Sequence, residues 1–140
     1  MAGKVLAVAS LLLLMATAPG LAQPVDSYGL SAEDIAAFKK EPPLSQADID
    51  ILLLFWPQIR VNSHPMKVAE ICKKAGLTET RLIFISARTV LGMSALHNDI
   101  PREKFFDDSV HPVLVPSEAE MALIEKHMTA LKKAFGDITL

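Results

Sequence analysis

The sequence predicts an all-α protein: a compact orthogonal bundle of five to six helices around one buried central helix at about 79–96. Helix-capping residues recur just before apolar segments, and the apolar residues follow helical spacing rather than strand alternation. The segment 79–96 is apolar around most of its circumference. A helix with that pattern is buried by its neighbours, so this segment is expected to be the centre of the fold.

The first 22 residues have the order of a secretory signal peptide. Lys4 supplies a positive charge, 5–15 is almost unbroken in apolar residues, and a Pro-Gly pair precedes the small residues that end at Ala22. A charged start, an apolar core and a small-residue cleavage site are the three parts of such a segment. We therefore expect export to the periplasm or the exterior, with cleavage after Ala22.

Other interpretations of this segment fit less well. A cut after Ala18 also follows small residues, but it leaves Pro19 beside the scissile bond. An uncleaved anchor needs roughly 20 apolar residues, and the apolar core over 5–14 is too short. No cysteine lies near the cut, which excludes a bacterial lipid anchor. No stable membrane anchor is expected after cleavage.

The remaining chain, 23–140, has 118 residues, which suits a single domain. We expect a short disordered lead over 23–29 and one helical domain over 30–140. Removing Lys4 leaves 13 basic against 16 acidic side chains, a net charge of −3, and the charges are interspersed. That distribution does not favour a nucleic-acid binder. A single cysteine cannot form an internal disulfide, so stability must come from packing.

Local signals place each helix. The predicted helices are 32–40, 46–55, 65–75, 79–96, a short turn of helix over 101–107, and 118–134, with an extended segment over 110–116. The predicted N-caps are Ser31, Ser45, Thr78 and Ser117, several with a carboxylate returning to the cap. Leu30 and Leu44 are placed to act as hydrophobic staples. Because Trp56 precedes Pro57, the second helix is expected to end or kink there.

Two helical faces predict the packing. The last helix carries one apolar stripe, formed by Met121, Ile124, Met128, Leu131 and Phe135. The central helix has a narrow polar strip at Arg81 and Arg88. Away from that strip lie the hydroxyl residues Ser86, Thr89 and Ser94, which should face inward. We expect their hydroxyls to bond to a backbone carbonyl one turn earlier, or to line a cavity.

The residues that most often carry metal or redox chemistry show no matching pattern. Cys72 lies on the face of Val68 and Ile71, where a buried core thiol is expected, with a reactive thiol as the alternative. The histidines are His64, His97, His111 and His127, and none has metal-ligand spacing. No metal site or cofactor is therefore predicted. The alternative is that folding gathers two or three of them, with Met66 or Met128, into a copper or zinc site.

No catalytic residues are predicted, and the chain is expected not to be an enzyme. It has no G-x-S-x-G elbow. The adjacent carboxylates Asp107 and Asp108 follow a short helix and suit a solvated turn. An enzyme would require residues far apart in sequence to converge, most plausibly a histidine with one of these two carboxylates.

These observations predict an exported helical binding or interaction module. The favoured partner is an unknown protein, met by an exposed apolar patch near Trp56 or by the segment 110–116, which includes His111 and Val113. The first alternative is a carrier of a small apolar ligand between helices, with Ser86 or Thr89 making polar contacts. The second is a metal-binding periplasmic protein.

Overall fold

The computed structural model describes residues 29–61, 64–106 and 110–136. In these ranges the chain forms helices and no β-strand: α1 Ala32–Lys39, α2 Gln46–Val61, α3 Pro65–Ala75, α4 Glu79–His97, α5 Arg102–Phe105, a 3-10 helix Pro112–Leu114, α6 Glu118–Lys126 and α7 Met128–Phe135. The predicted all-α helical bundle is confirmed. The signal-peptide prediction, most of the lead over 23–29, and the Asp107–Asp108 pair lie outside the described residues.

The predicted N-caps are confirmed. A side-chain oxygen accepts a hydrogen bond from the backbone N–H three residues ahead at Ser31, Ser45, Thr78 and Ser117. At Ser31, Ser45 and Ser117 the backbone N–H of the cap residue donates in return to the carboxylate three residues ahead, which completes a capping box. At the C-terminal end of α3, Gly76 has φ 71°, and the N–H of Leu77 donates to the Cys72 carbonyl at 2.9 Å. This Schellman turn requires a left-handed residue and so favours glycine.

The prediction that the second helix ends near residue 55 is wrong, because α2 continues through Pro57 to Val61. Proline removes one backbone hydrogen bond, which normally breaks a helix. Here the turns around Pro57 carry buried side chains: Trp56 stacks on Phe135 of α7 with ring centroids 4.6 Å apart, and Ile59 is also buried. This tertiary packing outweighs the local cost of the proline.

The last predicted helix is continuous over 118–134, whereas the structure divides it into α6 and α7 at His127. The division and the short α5 bring the number of α-helices in the described ranges to seven. His127 has φ −106° and ψ 12°, outside the helical range. The apolar stripe is nevertheless kept across the division: Ile124, Leu131 and Phe135 are buried. The segment 110–116 also differs from its predicted extended form, because it contains a 3-10 turn.

The central position of α4 is confirmed by burial. Nearly every side chain from Leu82 to Ala95 is buried, and α4 packs against α1, α3, α6 and the 3-10 helix. Helix α2 packs instead against α3 and α7. At Gly92 of α4, a Cβ atom would overlap the Ile124 side chain of α6. Glycine at this position therefore lets α4 and α6 pack closely.

Among the described residues, no helix combines the length and the apolar character that crossing a membrane requires.

Candidate functional site

The two arginines of the α4 polar strip form ion pairs and hydrogen bonds with other helices. The Arg81 guanidinium donates to the Asp48 carboxylate at 2.6 Å and lies 3.4 Å from the Glu41 carboxylate. It also donates to the Pro42 carbonyl at 2.5 Å and to the Pro43 carbonyl at 3.2 Å. Because Asp48 is itself the capping carboxylate that accepts the Ser45 N–H, Arg81 fixes the start of α2 and the segment before it onto α4.

Arg88, two turns further along α4, forms a similar ion pair with α6. Its guanidinium donates to the Glu120 carboxylate and, at 3.0 Å, to the Val113 carbonyl. It lies over the Phe84 ring, 4.5 Å from the centroid. Such a cation–π contact further stabilises the guanidinium here because the site is largely shielded from water. Both arginines on the strip therefore pair with the capping carboxylate of another helix.

Glu120 is the more deeply buried of the two capping carboxylates, at 2% exposed against 5% for Asp48. It accepts the backbone N–H of Ser117 at 2.9 Å and that of Leu44 at 2.8 Å, in addition to the bond from Arg88. Burial by itself would raise the pKa of the Glu120 carboxyl, but these donors and the positive charge of Arg88 together hold the pKa below its usual value. Glu120 thus stays charged and joins α6, α4 and the Leu44 segment.

The Trp56 side chain is buried, so it does not itself form the exposed apolar patch expected near this position. Its side chain is 5% exposed and is part of the core with Phe135. The large hydrophobic side chains that are exposed in the described ranges are Leu54, Val61 and Met66. They lie on two different helices, and single exposed apolar side chains are ordinary on protein surfaces.

Ser86 and Thr89 face inward as predicted, and both are 0% exposed. The expected hydrogen bond to a carbonyl one turn earlier is not observed, because neither hydroxyl oxygen has a partner within the described residues. Each unpaired buried hydroxyl costs about 1–3 kcal/mol. They do not line the cleft described below, so the structure does not place them at a ligand.

His111 and Val113 have structural contacts. The His111 Nδ1 atom accepts the Val113 backbone N–H at 3.1 Å and caps the 3-10 helix, while the Val113 carbonyl accepts from Arg88. Both side chains are half-buried, and the neighbouring Leu114 is buried. The segment 110–116, called the strap, therefore packs onto the helices.

The histidines have individual structural contacts or stand apart from the other described metal-ligating acids and thiols. Across the described parts of the chain, no group of three or more His, Cys, Asp or Glu side chains is placed to hold an ion. His64 caps α3, and His127 contacts the Gln46 side chain at 3.0 Å. Cys72 is buried as predicted, and burial raises the pKa of its thiol, with the nearby Glu79 charge acting in the same direction. A thiol in that environment is a poor nucleophile.

An open cleft of about 440 Å³ lies where α4 ends. It is lined by Ala95, Leu96, His97, Asp99, Ile100 and Pro101 on one side and by Glu125, Met128 and Lys132 on the other. The last turn of α4 and the connection after it form the first wall. The second wall spans the division between α6 and α7, so the unexpected break at His127 is part of the site.

The lining combines charged and apolar side chains. Asp99, Glu125 and Lys132 are exposed, whereas Leu96, Ile100 and Met128 are half-buried. Asp99 has φ 51°, and the N–H of the following Ile100 donates to the Ala95 carbonyl at 3.1 Å. This is the Schellman geometry in which glycine is usual, so an aspartate there places a carboxylate at the cleft at some conformational cost.

Sequence reasoning missed this cleft. None of its charged residues belongs to a recognisable motif, and its walls come from segments about 30 residues apart in sequence. The sequence has Asn98 and Asp99, and no glycine, where α4 ends. This is unusual because Asp99 has a positive φ, which the sequence does not show. Comparison with known protein families, curated proteins and solved structures finds no match to this chain.

Proposed function

We propose that this chain is an exported helical binding module that holds a small molecule in the cleft at the end of α4. The observation that carries the proposal is the cleft itself. Its volume of about 440 Å³ lies in the range of about 300–1,000 Å³ that is typical of small-molecule sites. Such sites combine apolar walls with a few polar groups, and this lining has both.

Export is proposed from the first 22 residues of the sequence, which have the charge, apolar core and small-residue end of a signal peptide. The measurement is intact mass spectrometry of the protein from the secreted or periplasmic fraction. We expect an N-terminus at Gln23, cyclised or free. Protein that retains Met1 in a membrane fraction would contradict export with cleavage.

A small molecule now replaces the protein partner as our favoured ligand. Of the two surfaces expected to meet a protein, the first has Trp56 packed on Phe135. In the second, the strap, Leu114 is buried while His111 and Val113 are half-buried. The cleft is instead concave and open. A protein partner, and the absence of enzymatic activity, both remain predictions from the sequence.

The cleft also changes the expected character of the ligand. The sequence suggested an apolar ligand between helices, held by Ser86 or Thr89, but both hydroxyls lie away from the cleft lining. A cleft with exposed Asp99 and Glu125 beside half-buried apolar side chains fits a ligand with a polar head and a short apolar part.

Native mass spectrometry of the protein isolated from its own cell envelope tests this function. We expect the folded protein to carry a small organic molecule as a discrete mass increment that disappears on denaturation. A stoichiometric metal ion or a bound protein in its place would contradict the proposal.

A further inference from the structure

We propose that the cleft selects small organic cations, an ammonium head group carrying a short hydrocarbon chain. This inference rests on the proposed function, since it names the chemistry of the ligand that the same cleft would hold. It is carried by the charges on the two walls, by the end of α4, and by the apolar side chains between them.

The first support is a pair of carboxylates on opposite walls. Asp99 lies on the wall formed by the end of α4, and Glu125 lies on the α6–α7 wall. Neither side chain forms an ion pair with another described residue. Both are exposed at the cleft and available to a ligand. A cation between them is attracted from both sides.

The second support is the orientation of α4. Its last turn, including Ala95, Leu96 and His97, forms one wall, so the cleft lies at the C-terminal end of a 19-residue helix. That end carries the negative pole of the helix dipole, equivalent to about half a unit charge, and it favours cations. On the far wall, Lys132 and the N-terminal end of α7 at Met128 oppose this field, whereas the C-terminal end of α6 at Glu125 adds to it. Two carboxylates and two helix C-termini therefore act against one ammonium and one helix N-terminus.

The third support distinguishes an organic cation from a metal ion. Leu96, Ile100 and Met128 lie on the lining and are half-buried, so a hydrocarbon chain entering the cleft would cover apolar surface on both walls. A metal ion would need several ligating groups in one place, and the described residues offer no such group. The cleft therefore fits an ammonium ion with a hydrocarbon tail.

Three probes with the same four-carbon tail isolate the head group: n-butylammonium, 1-butanol and butyrate. Each is titrated into the purified protein at low salt and neutral pH, with the affinity measured from the NMR shifts of cleft residues. We expect n-butylammonium to bind about tenfold more tightly than 1-butanol, which corresponds to about 1.4 kcal/mol. Butyrate should bind most weakly. Added salt should remove most of the difference between the charged probes.

Matched variants test the named carboxylates. We expect Asp99→Asn and Glu125→Gln each to weaken n-butylammonium binding about threefold to tenfold while leaving 1-butanol binding unchanged. Asparagine tolerates the left-handed backbone at position 99, so this variant should keep the fold. Lys132→Gln should strengthen n-butylammonium binding. Glu118→Gln removes an exposed carboxylate at the opposite end of α6 and is the control expected to change neither affinity.

The outcomes separate this inference from the proposed function. If 1-butanol and butyrate shift the cleft resonances as strongly as n-butylammonium, the cleft is a ligand site but the cation preference is wrong. Unchanged n-butylammonium affinity in both carboxylate variants overturns the assignment to Asp99 and Glu125. If none of the three probes shifts a cleft resonance, the proposed ligand site itself fails.

Discussion

Replacing Glu120 with glutamine should test whether the buried ion pair between Glu120 of α6 and Arg88 of α4 stabilises the fold. The Glu120 carboxylate accepts hydrogen bonds from Leu44, Ser117 and Arg88 and is 2% exposed. Glutamine has nearly the same shape, but it carries no charge and presents an NH₂ group to one of these donors. The substitution therefore removes the ion pair and leaves a buried donor without an acceptor.

The expected loss follows from these contacts. Removing one partner of a buried ion pair costs about 3–5 kcal/mol. Arg88 keeps its bond to the Val113 carbonyl at 3.0 Å, and its side chain is 15% exposed, so limited contact with water reduces the cost of the uncompensated charge. We therefore expect a decrease of about 3 kcal/mol in the free energy of unfolding, at the lower end of that range.

Urea unfolding at neutral pH, followed by circular dichroism, measures this loss. The control is Glu118→Gln, which removes an exposed carboxylate from the first turn of the same helix and should cost less than about 1 kcal/mol. If the two variants show the same decrease in the free energy of unfolding, the Glu120–Arg88 ion pair does not stabilise the fold and the reasoning is refuted.

Three further outcomes are expected. The folded state lowers the pKa of Glu120, so its carboxylate should stabilise the protein fully above about pH 4.3, the ordinary pKa of glutamate. This stabilisation should be lost as the pH falls through the lower pKa of the folded state. Measuring the free energy of unfolding against pH should show this loss in the native protein and a smaller loss in Glu120→Gln. Gly92→Ala should destabilise the protein by about 1–2 kcal/mol in urea unfolding, because overlap with the buried Ile124 outweighs the gain in helix propensity; a more stable variant would contradict the close packing of α4 and α6. Cys72 should react slowly with a thiol reagent such as DTNB in the native state and rapidly in urea, since its thiol is buried and its pKa is raised; rapid native reaction would show that the site opens.

Local signals predicted the helix starts well because a cap is decided within four residues. Ser31 and Ser117 have their carboxylates three positions ahead, and both form the predicted capping boxes. The burial of α4 was also predictable, since its composition leaves only a narrow polar strip. These features depend on neighbouring residues alone, and that is the range over which sequence patterns are reliable.

The remaining features depend on contacts between distant segments. The sequence marks Asp48 and Glu120 as capping carboxylates, but it does not show that Arg81 and Arg88 pair with them from 33 and 32 residues away. Pro57 lies inside a helix because the side chain of the residue before it, Trp56, packs on α7, a contact that no local rule contains. For the same reason the cleft could not be predicted.

The central claim is that the cleft at the end of α4 is the ligand site, and one matched pair of variants tests it directly. Met128→Trp places a large side chain in the cleft lining, whereas Met66→Trp makes the same substitution at an exposed position on α3. Both variants are purified from the native cell envelope and compared with the unsubstituted protein by native mass spectrometry. We predict that the small-molecule mass increment is lost in Met128→Trp and retained in Met66→Trp. Retention of the increment by a folded Met128→Trp protein would contradict the claim.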